Sequence, residues 1–150
     1  GKKEMYIAYN NNLLNSPSTA EDDVFQPGYL NSDLVRYELH RVWIIEANVK
    51  EGYRHIYSKR VKYIDEDTWT IFESDRYDGN GNLWRVAFLY PVVASEVPLT
   101  GGGTLTHIDL KKGAYYYLNA AAGTGIGYSF NKGDYPDSYF TTSAVRRRGR

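Results

Sequence analysis

The chain contains no cysteine, which excludes a disulfide framework and a thiolate metal site. Its 18 basic and 18 acidic residues cancel, so it lacks the basic surface on which binding to a phosphate backbone depends. We therefore expect no nucleic-acid partner. No apolar run approaches the length of a membrane span, and we expect a chain that does not cross the membrane.

Motifs of enzyme chemistry are also missing. The glycine-rich stretch Gly123–Gly127 is not followed by the Lys-Ser/Thr pair of a phosphate loop, and no segment resembles a nucleophile elbow. His40, His55 and His107 are predicted to lie on different strands or on opposite strand faces, which does not build a metal site. The sequence therefore predicts a protein that is not an enzyme and holds no cofactor.

The sequence is rich in aromatic strand patterns. It has 15 tyrosines, and all three tryptophans lie in the stretch 34–90. From Val35 to Val49 the odd positions are mostly apolar, a period of two that is typical of a β-strand. Apolar residues also occur at even positions, so both faces of the predicted sheet should be covered by a helix, a second layer, a partner or an apolar ligand.

Turn residues suggest how the strands of this stretch pair. Lys50–Gly52 fits a three-residue hairpin loop, with Gly52 at the position that needs a positive φ. Such a loop places Ile45 opposite Tyr57 and Leu39 opposite Tyr63.

A later turn carries a strong Asp-Gly hairpin signal at Asp78–Asn82. It places Arg85 opposite Glu73 or Asp75, and with Lys59 these residues would form a charged row that sets the register. The oxygen ligands of this turn also resemble a calcium loop, but the distal glutamate is missing and a hairpin is favoured.

Further segments complete the predicted organisation. Pro91 is expected to end its strand, because proline cannot donate to a ladder, and Gly101–Gly103 is expected to be a flexible connection. The remaining predictions are a second hairpin over 104–119, a short strand at Tyr128–Phe130, and an irregular basic tail over 131–150 with a short helix near Thr142–Val145.

The stretch YELHRVWIIEANVKEGYRHIYSKRVKYIDEDTWTIFESDRYDGNGNLWRV, residues 37–86, closely resembles the C-terminal signature of the domain of unknown function 1329 family. Further matches are the N-terminal EMYIAYN, the hairpin with Asp109, Leu110, Gly113 and Tyr115, and the ending YFT..A.RRRGR from Tyr139. The resemblance covers nearly the whole chain.

This resemblance implies a mainly β fold: a curved antiparallel sheet, a half-barrel of the LolA/LolB-like lipoprotein-sorting type, with few short helices. It also implies that residues 1–150 are a single domain or the C-terminal fragment of a longer LolA/LolB-like protein, which would carry a signal peptide and an N-terminal half. The implied function is that of a non-enzymatic carrier in the periplasm or at the periplasmic face of the outer membrane. Its implied partners are lipid or lipoprotein acyl chains and an envelope transporter of the resistance-nodulation-division type.

Strand parity selects the candidate ligand-binding residues. On the expected registers one face of the sheet forms a broad aromatic wall, made of Tyr37, Trp43, Tyr57, Tyr63 and Trp69. For each of these side chains taken singly, a place in the core is the favoured alternative. The alternative function is a protein–protein interaction module of a Gram-negative envelope transport system.

Overall fold

The computed structural model describes residues 1–125, 127, 133 and 135–149. The predicted fold class is confirmed: the chain is mainly β, and its large antiparallel sheet is curved but not closed. The predicted strand at Tyr128–Phe130 lies outside the described residues.

In chain order the elements are β1 Lys2–Ala8, α1 Glu21–Val24, β2 Phe25–Gln26, β3 Tyr29–Leu30, β4 Tyr37–Asn48, β5 Lys59–Asp65, β6 Ile71–Tyr77, β7 Leu83–Ala94, β8 Leu99–Asp109, β9 Ala114–Leu118 and α2 Thr142–Arg148, with 3₁₀ turns at Ser32–Leu34 and Asp137–Phe140.

Seven strands form one sheet in the order β1-β4-β5-β6-β7-β8-β9, and β2 pairs with β3 separately. The predicted meander and the second hairpin, β8 with β9, are confirmed. The predicted C-terminal helix is confirmed as α2, which Thr141 caps by accepting a hydrogen bond from the Ala144 amide. No helix in the described part of the chain is both long and apolar enough to cross a membrane.

The predicted register between β4 and β5 is wrong. Trp43 lies opposite Ile64 and Ile45 lies opposite Lys62, because the connection runs from residue 49 to residue 58 and is not a three-residue loop. The observed register places Val42 and Val61, both buried, on the same face of the sheet. A shift of one residue would expose one of them, so burial fixes the pairing.

The predicted charged row is also wrong. Glu73 lies opposite Phe88, and Arg85 lies opposite Arg76 rather than opposite an acid. A register shift beside Tyr77, where the strands enter the Asp78 turn, causes the difference. Lys59 and Glu73 therefore lie on one face of the sheet, whereas Arg85 lies on the other.

Pro91 does not end its strand, and Gly101–Gly103 is not a flexible connection. Strand β7 continues through Pro91 with a register shift between Tyr90 and Val92, and the glycines belong to β8. Gly103 has a φ of +85°, and a Cβ atom there would lie 2.0 Å from the carbonyl oxygen of Tyr90. Proline and glycine thus make a bulge at which the two backbones approach closely.

The buried side chain of Asn15 joins the two strands at this bulge. Its Nδ2 donates to the backbone oxygens of Tyr90, at 2.9 Å, and Asn11, at 2.8 Å. Its Oδ1 accepts from the Thr104 amide at 2.7 Å and from the Thr104 hydroxyl at 2.9 Å. A side chain from the N-terminal segment therefore supplies hydrogen bonds that the interrupted ladder lacks.

The two faces of the sheet differ in cover. On the covered face, Leu14 and Val24 of the N-terminal segment are fully buried against Tyr90 and Ala8. A second cluster on this face contains the buried side chains Ile7, Val42 and Phe72.

By register, the opposite face, which we call the open face, carries Leu39, Trp43, Ile45, Arg60, Lys62, Arg76, Arg85, His107, Asp109, Tyr116 and Leu118. Several of its apolar side chains are about half exposed, including Leu39 at 57% and Leu118 at 47%.

The turn between β6 and β7 is a hairpin, as predicted. Asp78 Oδ1 accepts from the amides of Asn80 and Asn82, both at 2.9 Å, and its Oδ2 accepts from Lys111 Nζ at 2.5 Å. The hydrogen bond from Lys111 and those from the two amides lower the Asp78 pKa to about 2. The carboxylate therefore holds the turn together.

We expect Asn15→Ala to lower the free energy of unfolding by about 3 kcal/mol, because it leaves buried backbone groups at the bulge without partners. Urea unfolding at neutral pH measures this change. Asn12→Ala is the matched control, since Asn12 is exposed, and it should stay within about 0.5 kcal/mol of wild type. Equal stability of the two variants would contradict the role given to Asn15.

The Asp78 turn should contribute to the acid stability of the protein. Its pKa lies below the ordinary value of 3.8 in the folded state, so its contribution is complete above that pH and is lost as the pH falls towards about 2. In Asp78→Asn the free energy of unfolding should fall less steeply across this interval, measured by urea titrations at several pH values. Asp67→Asn, in an exposed turn, should keep the wild-type slope.

Candidate functional site

The structure separates the five side chains that strand parity places on one wall. Trp43 and Trp69 come together, with ring centroids 6.4 Å apart in a stacked arrangement. Tyr63 lies on the covered face, where its hydroxyl donates to Asp75 Oδ2 at 3.0 Å. Tyr57 is nearly buried and precedes β5, and Tyr37 is half exposed at the start of β4. The single aromatic wall is therefore wrong as geometry, since the observed register divides it.

Trp69 has an unusual backbone conformation for a large side chain. Its φ is +57°, a left-handed conformation that costs of order 1–3 kcal/mol in residues other than glycine. The turn around it is fixed by the buried Asp65, whose Oδ2 accepts from the Thr68 amide at 3.0 Å. Despite this strain the indole of Trp69 is 70% exposed, next to Trp43 on the open face. The strained turn thus presents an aromatic ring to solvent.

The indole N–H of Trp43 is available as a hydrogen-bond donor. Its indole Nε1–H is buried and has no hydrogen-bond partner among the residues that the structure describes. The Lys2 ammonium lies 4.0 Å from the centre of its ring, a cation–π contact. The tryptophan pair therefore combines an exposed apolar surface, a nearby cation and a free donor.

One group of possible metal ligands occurs among the described residues: His40, Asp65 and Asp67. It contains a single histidine, so the three histidines of the chain do not form a cluster together. Asp65 already accepts from His40 Nδ1 at 2.8 Å and from Thr68. We interpret Asp65, held by these bonds, as the anchor of the Trp69 turn.

An arginine row on the open face was missed by the sequence reasoning. Arg60 lies directly opposite Arg76, and Arg76 lies directly opposite Arg85. The three side chains line a cleft of about 540 Å³ together with Tyr57, His107 and Tyr116, among others. The predicted registers hid the row by placing an acid opposite Arg85. No local signal marked the longer connection, since Tyr53–Tyr57 is as rich in strand-forming residues as the strands themselves.

The cleft contains one carboxylate, that of Asp109. Its Oδ2 accepts from Arg85 Nε at 2.9 Å, and Arg85 Nη1 also donates to the Tyr57 hydroxyl at 2.9 Å. Burial alone would raise the pKa of Asp109, but the hydrogen bonds from Arg85, the Lys112 amide and Trp84 lower it overall. Asp109 is therefore ionised at neutral pH and neutralises one arginine.

His107 is the titratable base of the cleft. Its Nδ1 accepts from Arg76 Nη1 at 3.1 Å, and its ring stacks on Tyr116 with centroids 4.8 Å apart. Burial, and then the nearby Arg76 cation, lower the pKa of His107 below its ordinary value. The imidazole is therefore neutral at pH 7 and acts as an acceptor.

The family model described as "Protein of unknown function (DUF1329)" matches residues 1–146. The chain belongs to the DUF1329 family. The resemblance found in the sequence is thereby confirmed. Uncharacterized protein PA3922 of Pseudomonas aeruginosa is 42% identical over 149 residues, which are 99% of this DUF1329 chain and 32% of the relative. The chain thus spans about a third of the length of that relative.

Two solved structures are also similar to this DUF1329 chain. A DUF1329 family protein from Desulfovibrio piger has 20% identity over 71% of this chain and 41% of its own, with a TM-score of 0.42. A domain assigned to outer membrane lipoprotein sorting in Vibrio parahaemolyticus has 12% identity over 72% of this chain and 43% of its own, with a TM-score of 0.41.

We expect Arg76→Gln to raise the pKa of His107 towards its ordinary value of 6.5, because the variant removes a neighbouring positive charge. A pH titration of the histidine ring protons by NMR measures the shift. Arg41→Gln removes a charge from the open face six residues along β4 from Ala47, the cross-strand partner of Arg60, and should change this pKa less. The lowered pKa also predicts that His107 makes folding less favourable as the pH falls below about 6.5.

Proposed function

We propose that this chain is the ligand-holding part of a non-enzymatic carrier in the Gram-negative periplasm, and that it binds the acyl chains of a lipid or lipoprotein on the open face. The observation that carries the proposal is the pair Trp43 and Trp69, because an exposed indole on a strained turn has no role in the core. Membership of the DUF1329 family, for which the sequence resemblance implies a carrier of the lipoprotein-sorting type, supports it.

Exposed apolar side chains beside the tryptophans would continue the acyl-binding surface. Ile45 follows Trp43 on the same face of β4 and is 48% exposed, and Leu39, which is 57% exposed, lies on that face beyond Arg41. Burying such side chains under an acyl chain is favourable by about 25 cal/mol per Å² of apolar surface. Tyr57 would contact a ligand that extends to the cleft, whereas Tyr63 points to the covered face. Tyr37 remains a predicted contact.

Exposed apolar surface also fits the alternative function, an interaction module of an envelope transport system. Strand β9 is the last strand of the sheet and pairs with β8 alone among the described strands. Its open edge offers backbone groups to an added strand from another segment or protein. An envelope transporter of the resistance-nodulation-division type is the partner that this alternative would imply.

Native mass spectrometry of the protein, purified from its native host, distinguishes the two functions. A carrier should retain a lipid without any protein partner, and extraction would identify the lipid class. An interaction module should instead appear free of lipid and bound to a second protein.

We expect an uncharged monoacylglycerol to shift the fluorescence of the tryptophan pair to shorter wavelengths, because the acyl chain displaces water from the indoles. Trp84→Phe keeps Trp43 and Trp69 as the emitters. The double variant Trp43→Phe/Trp69→Phe keeps Trp84, whose Nε1 donates to Asp109 at 3.1 Å, and it should respond less. No spectral change in Trp84→Phe at saturating lipid would count against the carrier function.

A further inference from the structure

The arginine row places three guanidinium groups on adjacent strands of the open face. Arg60, Arg76 and Arg85 are direct cross-strand partners in two successive pairs. Neighbouring strands are about 4.8 Å apart, so the three arginine side chains are attached to backbone positions that lie close together. Like charges directly opposite each other destabilise a sheet. The row therefore opposes folding unless something else compensates for it.

The protein compensates for only part of this charge. Asp109 pairs with Arg85, while the hydrogen bonds found for the other two arginines go to histidine nitrogens. Arg60 Nη2 bonds to His55 Nε2 at 2.9 Å, and Arg76 Nη1 bonds to His107 Nδ1 at 3.1 Å. Within the described part of the chain, no carboxylate forms an ion pair with Arg60 or Arg76. The row thus has three positive charges and one negative charge.

The size and lining of the cleft suit an anion that carries a planar or apolar group. Its volume of about 540 Å³ exceeds that needed for one tetrahedral ion. Tyr116, stacked on His107, and Tyr57, which lies against the Arg60 and Arg85 guanidinium groups, provide aromatic surface beside the charges. The rigid forks of arginine bind phosphate oxygens in pairs, which lysine does not do.

We propose that this cleft binds a phosphate group, held between Arg60 and Arg76, with Arg85 completing the positive surface. A dianion would balance the two arginines that lack a carboxylate partner. The Tyr57 hydroxyl, fixed by Arg85, lies at the edge of the same site and can donate its proton to a phosphate oxygen. The site rests on the arginine row alone, so it is independent of acyl binding by the tryptophans.

The source of the phosphate can be a free phosphate compound or the headgroup of a lipid. Arg60 is four residues from Ile64, the cross-strand partner of Trp43, which corresponds to about 13 Å along β5. A phospholipid headgroup in the cleft would therefore leave its acyl chains within reach of the tryptophan pair. This second source deepens the proposed carrier function and rests on it.

Isothermal titration of the full chain with inorganic phosphate, at constant ionic strength set by chloride, tests the site. We expect one phosphate per chain, and we expect Arg76→Gln to weaken its binding by about 10- to 100-fold. The same variant should melt at a higher temperature than wild type without phosphate, because it removes like-charge repulsion. This gain shows that a loss of binding does not come from unfolding.

Arg41→Gln is the control, since it removes one charge from the open face six residues along β4 from Ala47, the cross-strand partner of Arg60, which corresponds to about 20 Å. It should change phosphate affinity by less than about threefold, the range expected of a screened distant charge. Equal weakening by both variants would overturn the proposal in favour of a general charge effect. Absence of Arg76-dependent binding to both phosphate and vesicles would overturn it outright.

Vesicle binding separates the two sources. Phosphatidic acid vesicles and the soluble glycerol 3-phosphate, both phosphate monoesters, are offered to wild type and to Arg76→Gln. Binding of glycerol 3-phosphate that depends on Arg76 supports a site for free phosphate compounds. Binding of vesicles alone that depends on Arg76 supports a headgroup site. If monoacylglycerol then fails to shift tryptophan fluorescence, the carrier function fails while the phosphate site stands.

Discussion

The hydrogen bonds of Asn15 are the constraint on which the rest of the architecture depends. They join the N-terminal segment to the bulge between β7 and β8, where proline and glycine interrupt the ladder. Leu14, next to Asn15, is thereby buried on one face of the sheet together with Val24. Because that segment covers one face, the other remains available to solvent. The tryptophan pair and the arginine cleft both lie on the face that this segment leaves uncovered.

The open face combines two different kinds of surface. Trp43 and Trp69 provide exposed aromatic area at one end, and Arg60, Arg76 and Arg85 provide concentrated positive charge at the other. Neither feature benefits folding: the Trp69 turn is strained, and the arginine row repels itself. Local costs of this kind are typical of surfaces selected for binding.

Much of the fold could be predicted from the sequence, but the site could not. Alternation of apolar residues identified the strands, and the Asp78 turn identified one hairpin, because both signals are local. The register of β4 depends on the burial of Val42 and Val61, which is a tertiary property. Pro91 fits within a strand because Asn15, distant in sequence, bonds its neighbour Tyr90. The arginine row depends on both registers, so one error in pairing was enough to hide it.

The bond between Asn15 and Thr104 joins residues 89 positions apart, which constrains the order of events during folding. The meander from β4 to β7 can form from contacts between neighbours in sequence, and such contacts form early. The covering segment cannot complete its hydrogen bonds until β8 has been synthesised and paired. A ribosome-bound chain that ends before Thr104 would hold Leu14 and Val24 against Tyr90 without the bonds from Asn15 to β8, so this segment would open more readily until translation reaches β8.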